Sequence, residues 1–365
     1  MFSYRHAFHA GNHADVLKHT VLIAILRHLI LKDSAFTVFD THAGAGLYRL
    51  DGDYAQTSGE AAHGFLRLVG QTPGASAASL ASTKKAASVR PETASVRPVT
   101  ASVRPEPVEG QAGFDPSTNS GQAKLSPNGL PGAKGVSNAK TPSNALAPVL
   151  QDYVDMVAGF NAKGSFKVYP GSPFIIQRLL RERDKLKLFE LHPTDSKTLA
   201  ANIAQLDAGR QVAVLREDGF EGLKKFLPPP QRRALVLSDP SYEVKTDYAR
   251  VVATIADALE RFATGTYAVW YPIIPRPEAH DVPRKLKTLA TKSGRSWLHA
   301  TLTVKFSKIL TDAEGEEHRP GLPASGMFVI NPPHTLKAAL QVAMPQMVAL
   351  LGQDQNAQSS LVTAN

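Results

Sequence analysis

Apolar and polar positions alternate along this chain in two textures. Short apolar runs with β-branched and aromatic members predict strands over 35–40, 185–191, 211–215, 234–240, 266–272, 298–306 and 327–331. Between them, apolar residues at three-and-four spacing predict helices over 172–184, 246–262, 278–293 and 335–351. A further helix is predicted over 15–31, ahead of the first strand. Strand–helix alternation implies an α/β fold, with a mostly parallel sheet covered by helices on both faces. In such sheets a ligand binds outside the carboxyl ends of the strands.

One interval breaks the rhythm. About 145 residues separate the first two strands, where a plain crossover unit needs about 30. Residues 71–145 account for half of it. They hold no Trp, Tyr or Ile and a single Phe, Phe114. An Ala-Ser-Val-Arg-Pro unit starts at Ala87, Ala94 and Ala101, a period of seven. A heptad can signal a coiled coil, but a Pro in every unit forbids the helix. With so little apolar surface to offset the entropy of ordering, the expectation is a disordered, surface-looped insertion. The alternative is a flexible basic arm for RNA. The flanks 58–69 and 147–160 read as helical and predict a small helical subdomain.

Composition narrows the chemistry. The 365 residues contain no Cys, so disulfides, thiol nucleophiles and Cys-ligated zinc or iron–sulfur centres are excluded. The formal charge is +9, which suits a polyanionic partner. Residues 71–145 carry eight basic and four acidic side chains, leaving about +5 on the other 290 or so residues. That mild bias is compatible with nucleic acid without pointing to it alone. The first residues lack the apolar run of a signal peptide. The stretch 21–31 is interrupted by Arg27 and His28 and falls short of the ~20 apolar residues of a membrane span. The expectation is a soluble, cytoplasmic protein.

The strand ends carry candidate chemistry. Asp40-Thr-His-Ala-Gly-Ala-Gly46 is a glycine-containing turn that lets backbone approach a ligand closely. It lacks the Gly-Lys-Ser/Thr ending of a phosphate-binding loop. Glu190 ends the second strand, where an acid accepts hydrogen bonds from ribose hydroxyls. Asp218-Gly219 follows the third. Together the three fit a ligand that contains adenosine. The fourth strand ends in Asp239-Pro240-Ser241-Tyr242. Such a segment suits methyl transfer to a planar amino nitrogen, whose lone pair is delocalised into its ring. The Asp239 carboxylate and the Pro240 carbonyl can accept both N–H bonds and draw the nitrogen toward sp³ geometry. The Tyr242 ring can stack on a base flipped out of its helix. No metal is required.

The N-terminal run Tyr4-Arg5-His6-Ala-Phe8-His9-Ala-Gly11-Asn12-His13-Ala-Asp15-Val-Leu-Lys18-His19 is dense in histidine. His9 and His13 have the i, i+4 spacing of helical metal ligands. Gly11-Asn12 between them disfavours that helix, so no metal site is expected. Arg5, His6 and Lys18 can instead meet phosphate or base edges, and Tyr4 can stack.

Taken together, these segments resemble the bacterial 23S ribosomal RNA adenine-N6 methyltransferases of the large-subunit J type, the RlmJ family. The likeness rests on residues 3–19, 40–46, Tyr169-Pro-Gly-Ser-Pro173, Glu190-Leu-His-Pro193, Asp218-Gly-Phe220, residues 239–248, Val269-Trp-Tyr-Pro272 and Ala324-Ser-Gly-Met327. It spans nearly everything but 71–145 and the last dozen residues. Ser241 stands where the family has a second Pro. The resemblance implies a Rossmann-like S-adenosylmethionine-dependent core over 1–50 and 165–365. A helical subdomain is implied over 51–70 and 146–164, with the insertion over 71–145. It implies S-adenosyl-L-methionine as donor, held by His19, His42, Ser172, Glu190, Asp218, Gly219 and Asp239. Asp239, with Pro240 and Tyr242, is implied to be catalytic. Tyr4, His6 and Lys18 are implied for RNA. The implied partner is 23S ribosomal RNA, with a monomeric enzyme and neither metal nor membrane. A similar tetrapeptide also serves DNA adenine and protein glutamine methyltransferases, and a non-catalytic RNA-binding relative is a further alternative.

Overall fold

The architecture was analysed in a computed structural model that describes residues 6–52, 57, 59–70, 145–162, 164–307, 310–311, 317–318 and 321–364. Asn12 starts the first helix, its side chain accepting from the amides of Ala14 and Asp15 at 2.9 Å. Helix α1 (His13–Leu29) is apolar on nearly every side and buried for most of its length, as a helix packed all round must be. It leads to strand β1 (Thr37–Asp40), every residue of which is buried. A short ribbon pairs β2 (Leu47–Arg49) with the later β3 (Val168–Pro170). Between them lie α2 (Phe65–Leu68) and α3 (Pro148–Ala158).

The remaining elements are α4 (Ser172–Leu179), β4 (Lys185–Phe189), α5 (Pro193–Ala204), β5 (Val212–Leu215), the short α6 (Gly219–Gly222) and β6 (Ala234–Ser238). Then come α7 (Thr246–Arg261), β7 (Thr266–Ile273), α8 (Pro277–Lys292) and β8 (Trp297–Thr303). The small strands β9 (Leu310–Thr311) and β10 (Glu317–His318) pair with each other, and β11 (Ala324–Ile330), α9 (Leu336–Leu351) and β12 (Gln358–Ala364) close the series.

Eight strands form one sheet in the order β12-β8-β11-β7-β6-β1-β4-β5. Alternation along β6 shows how it is covered. Leu235 and Leu237 face a core shared with α1, α3, α4 and α9, while Ala234 and Val236 face one shared with α7 and α8. The fold is a Rossmann-like α/β sheet with added helical segments. All these elements belong to one compact unit. The expected disordered insertion over 71–145 lies, but for Ala145, outside the described residues.

The structure departs from the sequence reading in four places. Pairing is parallel from β5 to β7, but β11 runs antiparallel between β7 and β8, and β12 antiparallel to β8. The β9–β10 ribbon lies between β8 and β11 in the chain, and three of the seven pairings in the sheet are antiparallel. The helix predicted to 184 ends at Leu179, because Leu180 is extended and Asp184 caps the turn, accepting from the amides of Phe36 and Arg181. The helix predicted over 58–69 is broken at Gly64. A Cβ there would lie 2.1 Å from the Gly11 carbonyl oxygen, so the backbones touch, and the Phe65 amide donates to that oxygen at 2.7 Å. Strand β12 was not anticipated. Its alternation is polar and half-exposed, as on a sheet edge. Among the described residues no helix is long and apolar enough to cross a membrane.

Candidate active site

Strand order reverses at β1, which pairs with β4 on one side and β6 on the other. The carboxyl ends of these strands open on a cavity of about 340 Å³, within the ~300–1,000 Å³ of small-ligand sites. Its wall contains His6, Lys18, His19, His42, Ser172, Glu190, Asp218, Gly219, Asp239 and Pro240. Ten of the sequence-predicted positions therefore meet in one place. Tyr4 lies outside the described residues.

Each strand contributes its own carboxylate. Glu190 follows β4 and accepts from the amides of Gly44 at 2.7 Å and His192 at 2.8 Å. Burial pushes it above the usual glutamate range despite those bonds. Asp218 follows β5 and caps α6, accepting from the Phe220 amide at 2.9 Å and from Arg250 at 2.7 Å. Burial would raise it, but the Arg250 guanidinium outweighs that and holds it low. Gly219 permits the fit, since a Cβ there would lie 1.9 Å from the Thr41 carbonyl oxygen. The His42 ring meets the Phe220 ring edge-on at 4.7 Å and hydrogen-bonds the Thr41 hydroxyl at 2.8 Å. Burial lowers His42 to about 4, so it is neutral at pH 7. Gly44 turns back under the site with φ +62°, where a Cβ would strike the Tyr48 hydroxyl. Sheet order lays these groups out as Asp239, His42, Glu190, Asp218.

The N-terminal side is built differently. Lys18 donates to Asp239 at 2.5 Å and to Asp15 at 2.9 Å. Asp15 also faces His6 Nε2 at 3.1 Å and accepts from the Gly11 amide at 2.8 Å. Burial opposes the Lys18 charge, but the two carboxylates override it and hold the ammonium well above its ordinary range. Asp40 is fully buried, with no partner among the described residues for Oδ2. Burial pushes it up to about 7, against the hydrogen bond of Ser172 and with help from the Asp239 charge.

Two expectations are corrected here. Lys18 is 4% exposed and cannot reach out to a phosphate, because it is locked between Asp15 and Asp239. Tyr242 does not line the cavity. It is 2% exposed, donates to the Trp270 carbonyl at 2.7 Å and packs 4.6 Å from the Tyr248 ring. Its φ of +54°, rare for a bulky residue, turns the ring inward, away from any incoming base. The histidine run also separates. His9 faces Glu60 at 3.0 Å, and His13 faces the Leu322 carbonyl at 2.9 Å. Among the described residues no group of three or more metal-ligating side chains converges.

Sequence reasoning missed Asp15, Arg250 and Val244. Asp15 lay within the N-terminal motif, but nothing marked it as the second partner of Lys18. Arg250 was hidden on an amphipathic helix. Val244, 58% exposed in the cavity wall, follows the Asp-Pro-Ser-Tyr segment closely and could have been suspected from that position.

A sequence model of the family described as "Ribosomal RNA large subunit methyltransferase D, RlmJ" matches residues 33–81 and 133–362. The match extends into β12 and passes over 82–132. Ribosomal RNA large subunit methyltransferase J of Escherichia coli K12 is 36% identical over 94% of this chain and 92% of its own length. The protein of the same name from Haemophilus influenzae Rd is 34% identical over 96% and 94%. The crystal structure of protein LPL1258 from Legionella pneumophila str. Philadelphia 1 aligns over 98% of both chains with a TM-score of 0.65 at 24% identity, a likeness of fold. On the family match and the two relatives, the chain belongs to the RlmJ family of ribosomal RNA large subunit methyltransferases.

Proposed function

We propose that this protein methylates N6 of an adenine in 23S ribosomal RNA, using S-adenosyl-L-methionine. The observation that carries the reading is Asp239. It ends the strand beside the reversal point and stands in the wall of the cavity that also holds Glu190 and Asp218. One cavity thus offers a nitrogen acceptor beside groups suited to an adenosine.

The residues fit the donor. Glu190 suits ribose hydroxyls. Asp218, with the Phe220 and His42 rings, suits the adenine. Ser172 and His19, whose buried Nε2 has no partner among the described residues, line the cavity and suit the amino-acid end. When bound, the sulfonium would supply an electrophilic methyl group and, with its bond to that methyl broken, leave as a neutral thioether. Gly219 allows the close backbone approach, and neutral His42 adds no charge to repel a cation.

Asp239 and the Pro240 carbonyl accept the two N–H bonds of the target amine, so its lone pair is freed from the ring. The nitrogen loses a proton once the N–C bond forms, and the Asp239 carboxylate is placed to take it. The Lys18 ammonium holds Asp239 Oδ2 and Asp15 together, which leaves Asp239 Oδ1 to accept from the amine. Val244 offers the base an apolar surface that the inward-turned Tyr242 does not. His6 and Tyr4 remain candidates for contact with RNA, and the enzyme acts as a cytoplasmic monomer.

Incubation of unmodified 23S rRNA with labelled donor should give N6-methyladenosine in the nucleoside digest. Transfer to duplex DNA or to a protein glutamine in preference to rRNA would overturn the substrate assignment.

A further inference from the structure

His19 has no exposed surface, and its two ring nitrogens have different surroundings. Nδ1 lies 2.8 Å from the Tyr169 hydroxyl, and that hydroxyl lies 2.9 Å from the Tyr153 hydroxyl. Nε2 is buried with no partner among the described residues, and the residue lines the cavity. The three side chains come from α1, β3 and α3, and both tyrosines are fully buried.

Counting protons decides which way this chain runs. Each hydroxyl has one proton to give, and a neutral imidazole has one. If His19 held its proton on Nδ1, Tyr169 would have to donate to Tyr153. The Tyr153 proton would then be buried with no acceptor among the described residues, at the full cost of an unmet hydrogen bond. In the opposite direction Tyr153 donates to Tyr169, and Tyr169 donates to Nδ1. Every protein acceptor in this relay is then used, and one N–H is left over, on Nε2 of a residue that lines the cavity. Burial lowers His19 to about 3, outweighing the attraction of Asp15, so the imidazole is neutral across the working pH range.

We propose that Tyr153 and Tyr169 are positioning residues that fix His19 as the Nε2–H tautomer, making it a neutral donor to the carboxylate of the methionyl group. This rests on the donor-site reading above. The chemistry of that end of the donor selects the carboxylate. The ammonium and the sulfonium are cations and cannot accept a hydrogen bond in place of it. The ribose and adenine are provided for by Glu190 and Asp218 on other strands. A neutral donor flanked by the Lys18 ammonium holds an anion without adding a second buried charge.

The test has two arms. In the ligand-free protein, ¹⁵N NMR of labelled histidine should show His19 protonated at Nε2, and Tyr169→Phe should shift the tautomer balance toward Nδ1–H. In the second arm, Tyr169→Phe should raise the dissociation constant for S-adenosylmethionine about tenfold, and Tyr153→Phe by about threefold. Turnover at saturating donor should stay within about twofold of wild type. Decarboxylated S-adenosylmethionine, which lacks the acceptor, should bind wild type and both variants alike. Thermal unfolding of the two variants verifies that each is folded, and either one suffices for the test. An Nδ1–H tautomer in a wild-type protein that binds the donor would overturn the proposal alone, as would equal losses for both donors. Failure of wild type to bind the donor at all would instead overturn the donor-site reading beneath it.

Discussion

The two halves of the cavity hold their carboxylates by different means. On the donor side, Glu190 is tied by the backbone amides of Gly44 and His192, and Asp218 by that of Phe220 together with the part-exposed Arg250 guanidinium. On the acceptor side, Asp239 is tied by a buried ammonium 221 residues away in sequence, and that ammonium is shared with Asp15. Amide anchoring depends on backbone that the sheet itself holds in place. The ammonium bridge depends on the N-terminal segment being in place. Binding of the donor and activation of the acceptor should therefore fail separately when each half is altered.

The largest separation is expected from Asp239→Ala. Turnover should fall by about 10³-fold, as when a single transition-state hydrogen-bonding group is removed, while fold is kept. Rapid-quench transfer to rRNA measures it, and a loss of less than tenfold would remove Asp239 from the mechanism. Lys18→Met should come next. It leaves Asp15 and Asp239 buried without their shared cation, at about 3–5 kcal/mol of stability, readable by urea unfolding. An unchanged midpoint would mean that the bridge contributes nothing net.

The histidines give a pH test. His19 and His42 are pushed from 6.5 to about 3 and about 4 by burial. The unfolded chain then binds more protons than the folded one below pH 6.5, so stability is lost as pH falls from 6.5 toward 3. His19→Gln should flatten that acid limb by an amount on the order of a few kcal/mol, and an identical limb in the variant would contradict the buried neutral state. On the donor side, Glu190→Gln should weaken S-adenosylmethionine binding about tenfold, ~1.4 kcal/mol, with turnover at saturation unaffected. A drop in saturated turnover would mean that the halves are coupled. The smallest effect is expected from deleting 75–143, most of which the family match passes over. Turnover and midpoint should stay near those of the full chain; a large loss of turnover would show that its arginines hold substrate.

The same contrast explains what was readable in the sequence. Glu190 and Asp239 sit one step, and Asp218 three steps, past strands whose apolar runs are unmistakable, so position alone marked them. The amides that hold Glu190 and Asp218 come from within a few residues or from the loop after the adjacent strand. The Lys18–Asp239 pair could not be read, because no local pattern links residues so far apart; Lys18 looked like a surface cation for RNA. Tyr242 misled for a similar reason. Its motif placed the ring near the site, but the rotation of its backbone into positive φ and the Trp270 carbonyl beneath it are tertiary facts. Strand β12 escaped because an edge strand needs only one buried face, and its sequence is half polar. The antiparallel turn of the sheet escaped because β8 and β11 read as ordinary strands whichever way they run.

The central claim is that Asp239 accepts an adenine amino group in a cavity that holds S-adenosylmethionine. The direct measurement is mass spectrometry of nucleosides from 23S rRNA after incubation with the donor and either wild type or Asp239→Asn. The account expects N6-methyladenosine with wild type. With the variant it expects a fall of about 10³-fold while donor affinity changes by less than tenfold. Methylated adenine formed equally by both proteins, or by neither, would contradict it.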